Sequence, residues 1–204
     1  MFGKGWFIKN ERPEEIYLNP GEYYTKEEIE KYSKSSSMKK AQEKNIKRIL
    51  ELLKAVPPAK VLDIGCGVGF STKFLEELGY KTIGIDVLTE MLKKAKEKKL
   101  KVKKVDARDL SNFFKKEEFD YVVSTSALQW VKGSSNQEKI AKGIWYVLKP
   151  DGKVGIHFYP KSEEEMKLWG RIFKKTGFNG NFIVDNPENS RKRNIYLIAS
   201  KQIN

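Results

Sequence analysis

Cysteine is almost absent from this chain, with Cys66 the single example among 204 residues. One thiol excludes an internal disulfide, and it excludes a zinc cluster built by this chain alone. The chain also lacks any apolar run of transmembrane length, and its first residues lack the apolar core of a signal peptide. We therefore expect a soluble, cytoplasmic protein with no membrane association and no metal site.

Acidic residues are in the minority. The chain has 27 Asp and Glu against 40 Lys and Arg, which gives a formal net charge of +13. An excess of positive charge favours a polyanionic partner, and RNA is the first candidate. A charged fraction of 33% also fits the ion-pair-rich surface of a thermophile's protein. Net charge alone leaves both interpretations open.

The stretch 61–71 places a glycine-rich turn directly after a buried strand. Its first four residues are apolar except for Asp63, as expected of a strand inside a parallel sheet. Three glycines at alternate positions follow: Gly65, Gly67 and Gly69. Glycine permits positive φ and lets a ligand approach the bare main chain. A helical pattern begins after Phe70, so the turn occupies the nucleotide-binding position of doubly wound α/β folds.

The spacing of the turn favours S-adenosyl-L-methionine over a dinucleotide. The third glycine comes one residue early for the dinucleotide pattern, and Phe70 stands where that pattern needs Gly or Ala. Asp63 could accept a hydrogen bond from a cationic amine, directly or through water, and would repel a pyrophosphate. A second strand, 81–85, ends in Asp86, 21 residues after Gly65, where an acid can accept both hydroxyls of a ribose. The alternative is a turn that only packs helix on sheet.

This pattern resembles the first motif and the acidic loop of the class I methyltransferases. The resemblance implies an α/β, Rossmann-like fold with a seven-stranded, mostly parallel sheet, its last strand antiparallel, and helices on both faces. Residues 38–204 would form that domain, and 1–37 an N-terminal extension closing over the site. At 204 residues the chain is long enough for one such domain and short for two.

The remaining elements follow from periodicity and capping signals. Residues up to 24 read as irregular, a short helix starts at a capping box at Thr25 and runs to about residue 32, and 33–37 breaks it. A longer helix covers about 38–54, and Thr89 is predicted to cap the helix after the second strand. Lys101 to Val105 is a third strand. Two last strands are expected near 182–184 and 195–199.

Asp106 follows the third strand. In class I methyltransferases the side chain there usually accepts from the adenine amino group, and a carboxylate is a good acceptor for an amine donor. Asp106 is therefore the expected adenine contact, and its alternative is a helix or turn cap. The resemblance extends the cofactor site to these residues: Asp63, Gly65, Cys66, Gly67, Gly69, Asp86, Val87, Asp106, Ala107 and Ser124.

The loop 124–130 follows the fourth strand and is expected to face the methyl donor. It lacks the Asn/Asp-Pro-Pro-aromatic motif of amino-nitrogen methylation. Pyrimidine C5 methylation needs a cysteine nucleophile, but Cys66 lies in the cofactor turn.

Guanine N7 carries an in-plane lone pair and needs no general base. Trp130 can offer a π face to the cationic product ring, Gln129 can hydrogen-bond base edges, and Tyr23 or Tyr24 can close the slot. Core packing of Trp130 is the alternative.

Several segments carry a more specific resemblance: Arg12-Pro13-Glu14, Tyr23-Tyr24, Lys31-Tyr32, Ser126-Ala127-Leu128-Gln129-Trp130, Phe158-Tyr159-Pro160, and the closing stretch from Gly177 through Val184-Asp185-Asn186-Pro187 to Leu197. They are similar to the small-subunit ribosomal RNA guanine-N7 methyltransferases, the family of the Williams–Beuren syndrome region methyltransferase. The family commonly has arginine where this chain has Ser37, and this departure with the lysine-rich surface suggests an archaeal-type member.

The resemblance implies an S-adenosyl-L-methionine-dependent enzyme of ribosome biogenesis that releases S-adenosyl-L-homocysteine. Ser126, Gln129 and Trp130 would form the catalytic pocket. The RNA-facing residues would be Tyr23, Tyr24, Arg191, Lys192 and Arg193, although the last three could equally sit in a solvated loop. A small zinc-binding activator subunit would pair with the edge of strand three, where lysines could instead prevent aggregation.

Two other functions stay open. One is a methyltransferase of a small molecule or protein, and the other is a ribosome-assembly factor whose catalysis is dispensable.

Overall fold

The computed structural model of the protein describes residues 11–189 and 192–202. Its strands in chain order are β1 (Lys60–Ile64), β2 (Lys81–Asp86), β3 (Val102–Lys104), β4 (Phe119–Thr125), β5 (Leu148–Phe158), β6 (Phe178–Asp185) and β7 (Asn194–Lys201). They form one seven-stranded sheet in the order β3-β2-β1-β4-β5-β7-β6. β7 is antiparallel to both of its neighbours, and the pairs among β1 to β5 are parallel. The predicted class I methyltransferase sheet is confirmed.

The strand order reverses next to β1, which has β2 on one side and β4 on the other. The loops after β1 and β4 therefore leave the sheet beside each other and open a crevice at the carboxyl ends of the strands. This crevice is where the glycine turn and the loop 124–130 meet.

The helices are α1 (Pro13–Ile16), α2 (Pro20–Tyr23), α3 (Lys26–Lys34), α4 (Ser36–Leu53), α5 (Phe70–Glu77), α6 (Thr89–Glu97), α7 (Leu110–Phe113), α8 (Ser134–Val147) and α9 (Glu163–Thr176). Two 3₁₀ turns, Ala107–Asp109 and Leu128–Trp130, follow β3 and β4. Each turn therefore lies at the carboxyl edge of the sheet.

Capping decides the ends of several helices. Thr25 caps α3 as predicted, because its side chain accepts from the Glu28 amide. Thr89 does not cap α6: the N-cap is Leu88 without a side-chain hydrogen bond, and Thr89 is the first helical residue. The expected break at 33–37 shrinks to Ser35, whose hydroxyl accepts from the Met38 amide and starts α4 at once. The segment predicted to be irregular up to 24 contains α1 and α2.

Apolar side chains from helices cover both faces of the sheet, as predicted. On one face α8 and α9 bury Ile144, Trp169 and Phe173 against β4 and β5. On the other face α4 buries Ile46 and Ile49 beside β1 and β7. The Cβ of a residue in place of Gly155 would lie 2.4 Å from the side chain of Ile49, so α4 packs directly on the β5 main chain. No helix within the described ranges combines the length and the apolar character needed to cross a membrane.

Candidate cofactor and substrate site

A cavity of about 1750 Å³ opens at the carboxyl edge of the sheet. Its walls come from α1 to α4, the glycine turn after β1, the ends of β2 and β3, and the loop after β4. Pockets for one small ligand usually measure about 300–1000 Å³. The cavity is therefore large enough for a cofactor and a second ligand side by side.

The glycine turn forms the floor of this cavity. Gly65 has φ +71°, and a Cβ on it would lie 2.2 Å from the Cβ of Ala127. The turn after β1 and the loop after β4 thus touch through a position that accepts no side chain. A Cβ on Gly67 would meet only the sulfur of Met91 at 3.8 Å, so the main chain there is open to a ligand. Gly69 lies outside the cavity lining, and its missing Cβ instead leaves space for Leu100.

Asp63 lies beneath the turn, fully buried and away from the cavity wall. Its Oδ2 accepts hydrogen bonds from the hydroxyls of Ser71 at 2.6 Å and Thr72 at 2.7 Å. Burial raises the pKa of its carboxyl to about 6. Its Oδ1 is buried and has no hydrogen-bond partner among the described residues. That oxygen is free to accept from a donor in the cavity, through water if not directly.

Asp86 lines the cavity at the end of β2. Its two oxygens accept from the main-chain amides of Gly67 and Leu88, each at 2.9 Å. A carboxylate has about four acceptor positions, so acceptor capacity remains for the two hydroxyls of a ribose. Burial raises the pKa of this carboxyl, and the amide hydrogen bonds oppose that shift. Val87 follows and also faces the cavity.

Asp106 and Ala107 line the cavity next to the end of β2. Asp106 caps the 3₁₀ turn after β3, since its Oδ1 accepts from the Arg108 amide at 2.9 Å. The hydrogen-bonded guanidinium of Arg108 lowers the pKa of the Asp106 carboxyl. The capping role that was the alternative for Asp106 is therefore present, and its place on the cavity wall leaves the adenine contact open as well.

Of the two remaining predicted cofactor residues, Cys66 lines the cavity and Ser124 lies behind its wall. The Cys66 thiol is buried, and desolvation raises its pKa, so the side chain is a neutral thiol rather than a nucleophilic thiolate. Ser124 is fully buried, lies outside the cavity lining, and donates to the carbonyl oxygen of Ile64 at 2.9 Å. That bond ties the ends of β1 and β4 together.

Aromatic rings form a slot in the wall of the cavity. The ring centroid of Trp130 lies 6.3 Å from that of Tyr23 and 6.1 Å from that of Tyr24. Trp130 is half-buried and lines the cavity, and so does Gln129. The Gln129 Oε1 is buried with no hydrogen-bond partner among the described residues. The slot thus combines flat apolar surfaces with an unused acceptor.

Ser126 stands on a buried polar network that the sequence reasoning missed. The Asn194 amide nitrogen donates to the carbonyl of Lys192, which turns its Oδ1 towards His157 Nε2 at 3.1 Å. His157 therefore carries its proton on Nε2, and its Nδ1 accepts from Asn45 at 3.2 Å and faces the Ser126 hydroxyl at 3.4 Å. Burial lowers the pKa of His157 to about 4, so the ring is neutral. The sequence feature that could have indicated this network is a lone histidine within an apolar strand.

The basic residues predicted to meet RNA are only partly at the cavity. Arg193 lines it and donates from Nε and Nη2 to the carbonyl of Pro187. Lys192 is exposed and outside the lining, and Arg191 lies outside the described residues. The cavity walls also hold cations that the sequence reasoning did not single out: Arg12, Lys31, Arg108 and Lys132. No group of three or more metal-binding side chains occurs in the described part of the chain.

Comparison with known proteins agrees with this geometry. Residues 62–156 match the family model described as a methyltransferase domain. The chain is 31% identical over 197 residues to the 18S rRNA (guanine-N(7))-methyltransferase bud23 of Schizosaccharomyces pombe, covering 92% of this chain and 73% of that one. It is 33% identical to the 18S rRNA (guanine-N(7))-methyltransferase of Bos taurus, covering 93% and 71%. A putative S-adenosyl-L-methionine-dependent methyltransferase structure from Methanococcus maripaludis superposes with a TM-score of 0.72 at 14% identity, covering 97% and 98%, and shows the fold alone.

Proposed function

The chain belongs to the family of the 18S rRNA (guanine-N7)-methyltransferases, and we propose that it transfers a methyl group from S-adenosyl-L-methionine to N7 of a guanine in small-subunit ribosomal RNA. The observation that carries this proposal is the aromatic slot of Tyr23, Tyr24 and Trp130, which opens into the same cavity as the glycine turn. S-adenosyl-L-homocysteine is the expected product.

The residues of the turn suit this cofactor. The open main chain at Gly67 and the remaining acceptor capacity of Asp86 would hold its amino acid and ribose parts. Val87, Asp106 and Ala107 would surround its adenine. Asp63, with one unsatisfied buried oxygen, would act on its ammonium through water. Gly65, Cys66, Gly69 and Ser124 would shape and brace the turn. The bound cofactor supplies an electrophilic methyl group.

The slot suits a nitrogen that already has a lone pair. A reaction at guanine N7 requires alignment and tolerance of positive charge rather than a strong base. The faces of Trp130 and the tyrosines attract the ring as its charge grows. Gln129 and Ser126 would hydrogen-bond the base, and His157 would hold the Ser126 hydroxyl in place from below.

Positive charge around the slot supports a nucleic-acid substrate. The net charge is +13, and Lys132 and Arg193 stand at the cavity with their cationic groups anchored to main-chain carbonyls. Anchored cations are suited to phosphate because less side-chain freedom is lost on binding. Arg191 and Lys192 would extend this surface along the loop before β7. Ribosome assembly in the cytoplasm is the setting we propose.

The segment 1–37 would close over the bound ligands. Its described part supplies α1, α2 and α3, and side chains from all three line the cavity. Tyr32 stacks on Phe70 at 5.8 Å between centroids, which attaches α3 to the start of α5. This contact would couple closure to the cofactor turn.

A small zinc-binding activator subunit would pair with the edge of β3. β3 is a three-residue strand at one end of the sheet, paired only with β2 among the described strands. Co-expression with that subunit should raise yield and cofactor affinity, and an isolated chain that is unaffected by it would contradict the pairing.

Mapping 7-methylguanine in small-subunit RNA, with and without the gene, tests the proposal. Cells lacking the gene should lose one modified guanine, and the gene with Asp86→Ala should not restore it. An unchanged map would refute the proposed function. Methylation of a small molecule or protein without RNA would support the first alternative, and full subunit maturation with the Asp86→Ala chain would support the assembly-factor alternative.

A further inference from the structure

Glu14 is an acid buried in the wall of the substrate cavity. It lies in α1, is 5% exposed, and lines the cavity together with Tyr24 and Trp130. Burying a carboxylate is costly unless donors compensate for the lost water. Its position therefore needs an explanation beyond chain packing.

The charged neighbour of Glu14 compensates it weakly. Arg12 Nη1 lies 3.9 Å from Glu14 Oε1, which is ion-pair distance and too long for a hydrogen bond. The same Nη1 donates to the carbonyl oxygen of Tyr159 at 2.8 Å, and the guanidinium lies 5.2 Å from the centre of the Tyr159 ring. Arg12 is thus held mainly by Tyr159. Burial raises the pKa of Glu14, and a hydrogen bond from its own main chain opposes that shift more than the Arg12 charge does.

Two acids act on the tyrosine at the centre of the slot. Burial is the main cause of the raised pKa of Tyr24, and the negative charges of Asp86 and Glu14 add smaller contributions to it. Asp86 belongs to the cofactor end of the cavity, whereas the Tyr24 ring packs beside Trp130. Glu14 is therefore within electrostatic reach of the slot in which the target base would lie.

We propose that Glu14 accepts hydrogen bonds from the Watson–Crick edge of the target guanine. Guanine presents two neighbouring donors there, N1–H and the N2 amino group, and the two oxygens of a carboxylate can accept both. Adenine has an acceptor at N1 and is rejected. N7 lies on the opposite edge of the purine and stays free for the methyl group. This role rests on the proposed function and names the residue that selects the base.

Binding of three free nucleotides tests the proposal. The protein is saturated with S-adenosyl-L-homocysteine, and calorimetry measures binding of guanosine, inosine and adenosine 5′-monophosphates. Inosine lacks the N2 amino group. Because one hydrogen bond to a charged group is involved, the unaltered protein should bind the guanosine nucleotide roughly tenfold or more tightly than the inosine one.

Glu14→Gln should remove most of that preference and leave the affinity for S-adenosyl-L-homocysteine unchanged. Glu15→Gln is the matched control, because Glu15 caps the same helix through the Arg12 amide and glutamine can fill that role. It should bind all three nucleotides as the unaltered protein does. A purely structural Glu14 would instead affect folding and leave the preference intact.

The possible results test the guanine target and the role of Glu14 separately. If the unaltered protein binds adenosine and guanosine nucleotides equally, the proposed guanine target itself is wrong. If it prefers guanosine over adenosine but binds inosine equally well, or if Glu14→Gln keeps the preference, only the role of Glu14 is refuted. Should Glu14→Gln fail to fold, as lost S-adenosyl-L-homocysteine binding would reveal, Glu14→Asp takes its place. It keeps the carboxylate but shortens the side chain by one carbon, so the preference for guanosine over inosine should fall, and an unchanged preference would refute the role of Glu14.

Discussion

Replacing Gly65 with alanine should destabilise the protein through one identifiable contact. The new Cβ would lie 2.2 Å from the Cβ of Ala127, and neither atom belongs to a flexible side chain that can turn away. Overpacking of this kind costs about 1–3 kcal/mol. The backbone at φ +71° adds about 1–2 kcal/mol for a residue with a Cβ. We expect the free energy of unfolding to fall by about 2–5 kcal/mol.

Relief of the clash would also damage the site. The turn after β1 and the loop after β4 would have to separate, which shifts Gly67 relative to Asp86 and displaces Trp130 in the same cavity lining. Affinity for S-adenosyl-L-homocysteine should therefore fall along with stability. Ala127→Gly removes the second Cβ and leaves the backbone strain. The double variant should regain the part of the unfolding free energy that the clash removes. The two substitutions should therefore be coupled by about 1–3 kcal/mol.

Urea denaturation of the two single variants and the double variant measures this coupling, and calorimetry measures cofactor affinity. Gly67→Ala is the matched control, since Gly67 has φ +54° but faces the Met91 sulfur at an ordinary 3.8 Å. It should show the strain alone and gain nothing from Ala127→Gly. A Gly65–Ala127 coupling below about 0.5 kcal/mol, the usual error of additivity, would show that the two Cβ atoms do not clash.

Three further predictions concern the cofactor, pH and RNA. Asp86→Ala should abolish cofactor binding in calorimetry, whereas Trp130→Ala should spare binding and impair turnover; equal loss of binding would contradict this division of roles. Because burial lowers the pKa of His157 to about 4, the unfolded chain binds a proton that the folded protein does not between about pH 6.5 and 4. The contribution of His157 to the free energy of unfolding is therefore fully present above about pH 6.5, and it falls by about 3 kcal/mol as the pH drops to about 4. Asp63 has a pKa raised to about 6, and its stability contribution changes with pH in the opposite sense. The test therefore compares the free energy of unfolding of the unaltered protein with that of His157→Gln at each pH. If the two curves run parallel, His157 has no such effect. Arg193→Ala should weaken binding of small-subunit RNA and reduce the salt slope by about one; an unchanged slope in filter-binding titrations would remove Arg193 from the phosphate contacts.

The glycine turn and its surroundings could be predicted because their signals are local. Alternating glycines after an apolar strand fix where the backbone turns, and an acid at the end of the next strand reaches the same edge through the parallel pairing of β1 and β2. The seven-stranded, mostly parallel sheet with an antiparallel last strand followed from the same pattern through the family resemblance. Capping was less certain: Thr25 caps its helix, but Thr89 lies inside α6 because Leu88 already adopts the N-cap conformation.

Contacts between side chains that are distant in the sequence could not be predicted from the sequence. The sequence left open whether Asp63 meets the cofactor directly or through water, and only the structure, in which Ser71 and Thr72 donate to its carboxylate, places it beneath the turn. Arg12 reaches Tyr159 across 147 positions of sequence, and Asn45 reaches His157 across 112.

The cofactor class and the sheet that presents it could be inferred from the sequence alone, since backbone freedom and apolar periodicity act within a few residues. Which polar groups line the cavity, and which support it from below, depends on contacts between distant segments and so required the folded structure. Glu14 shows why: its segment was predicted to be irregular, and its burial depends on what α1 packs against.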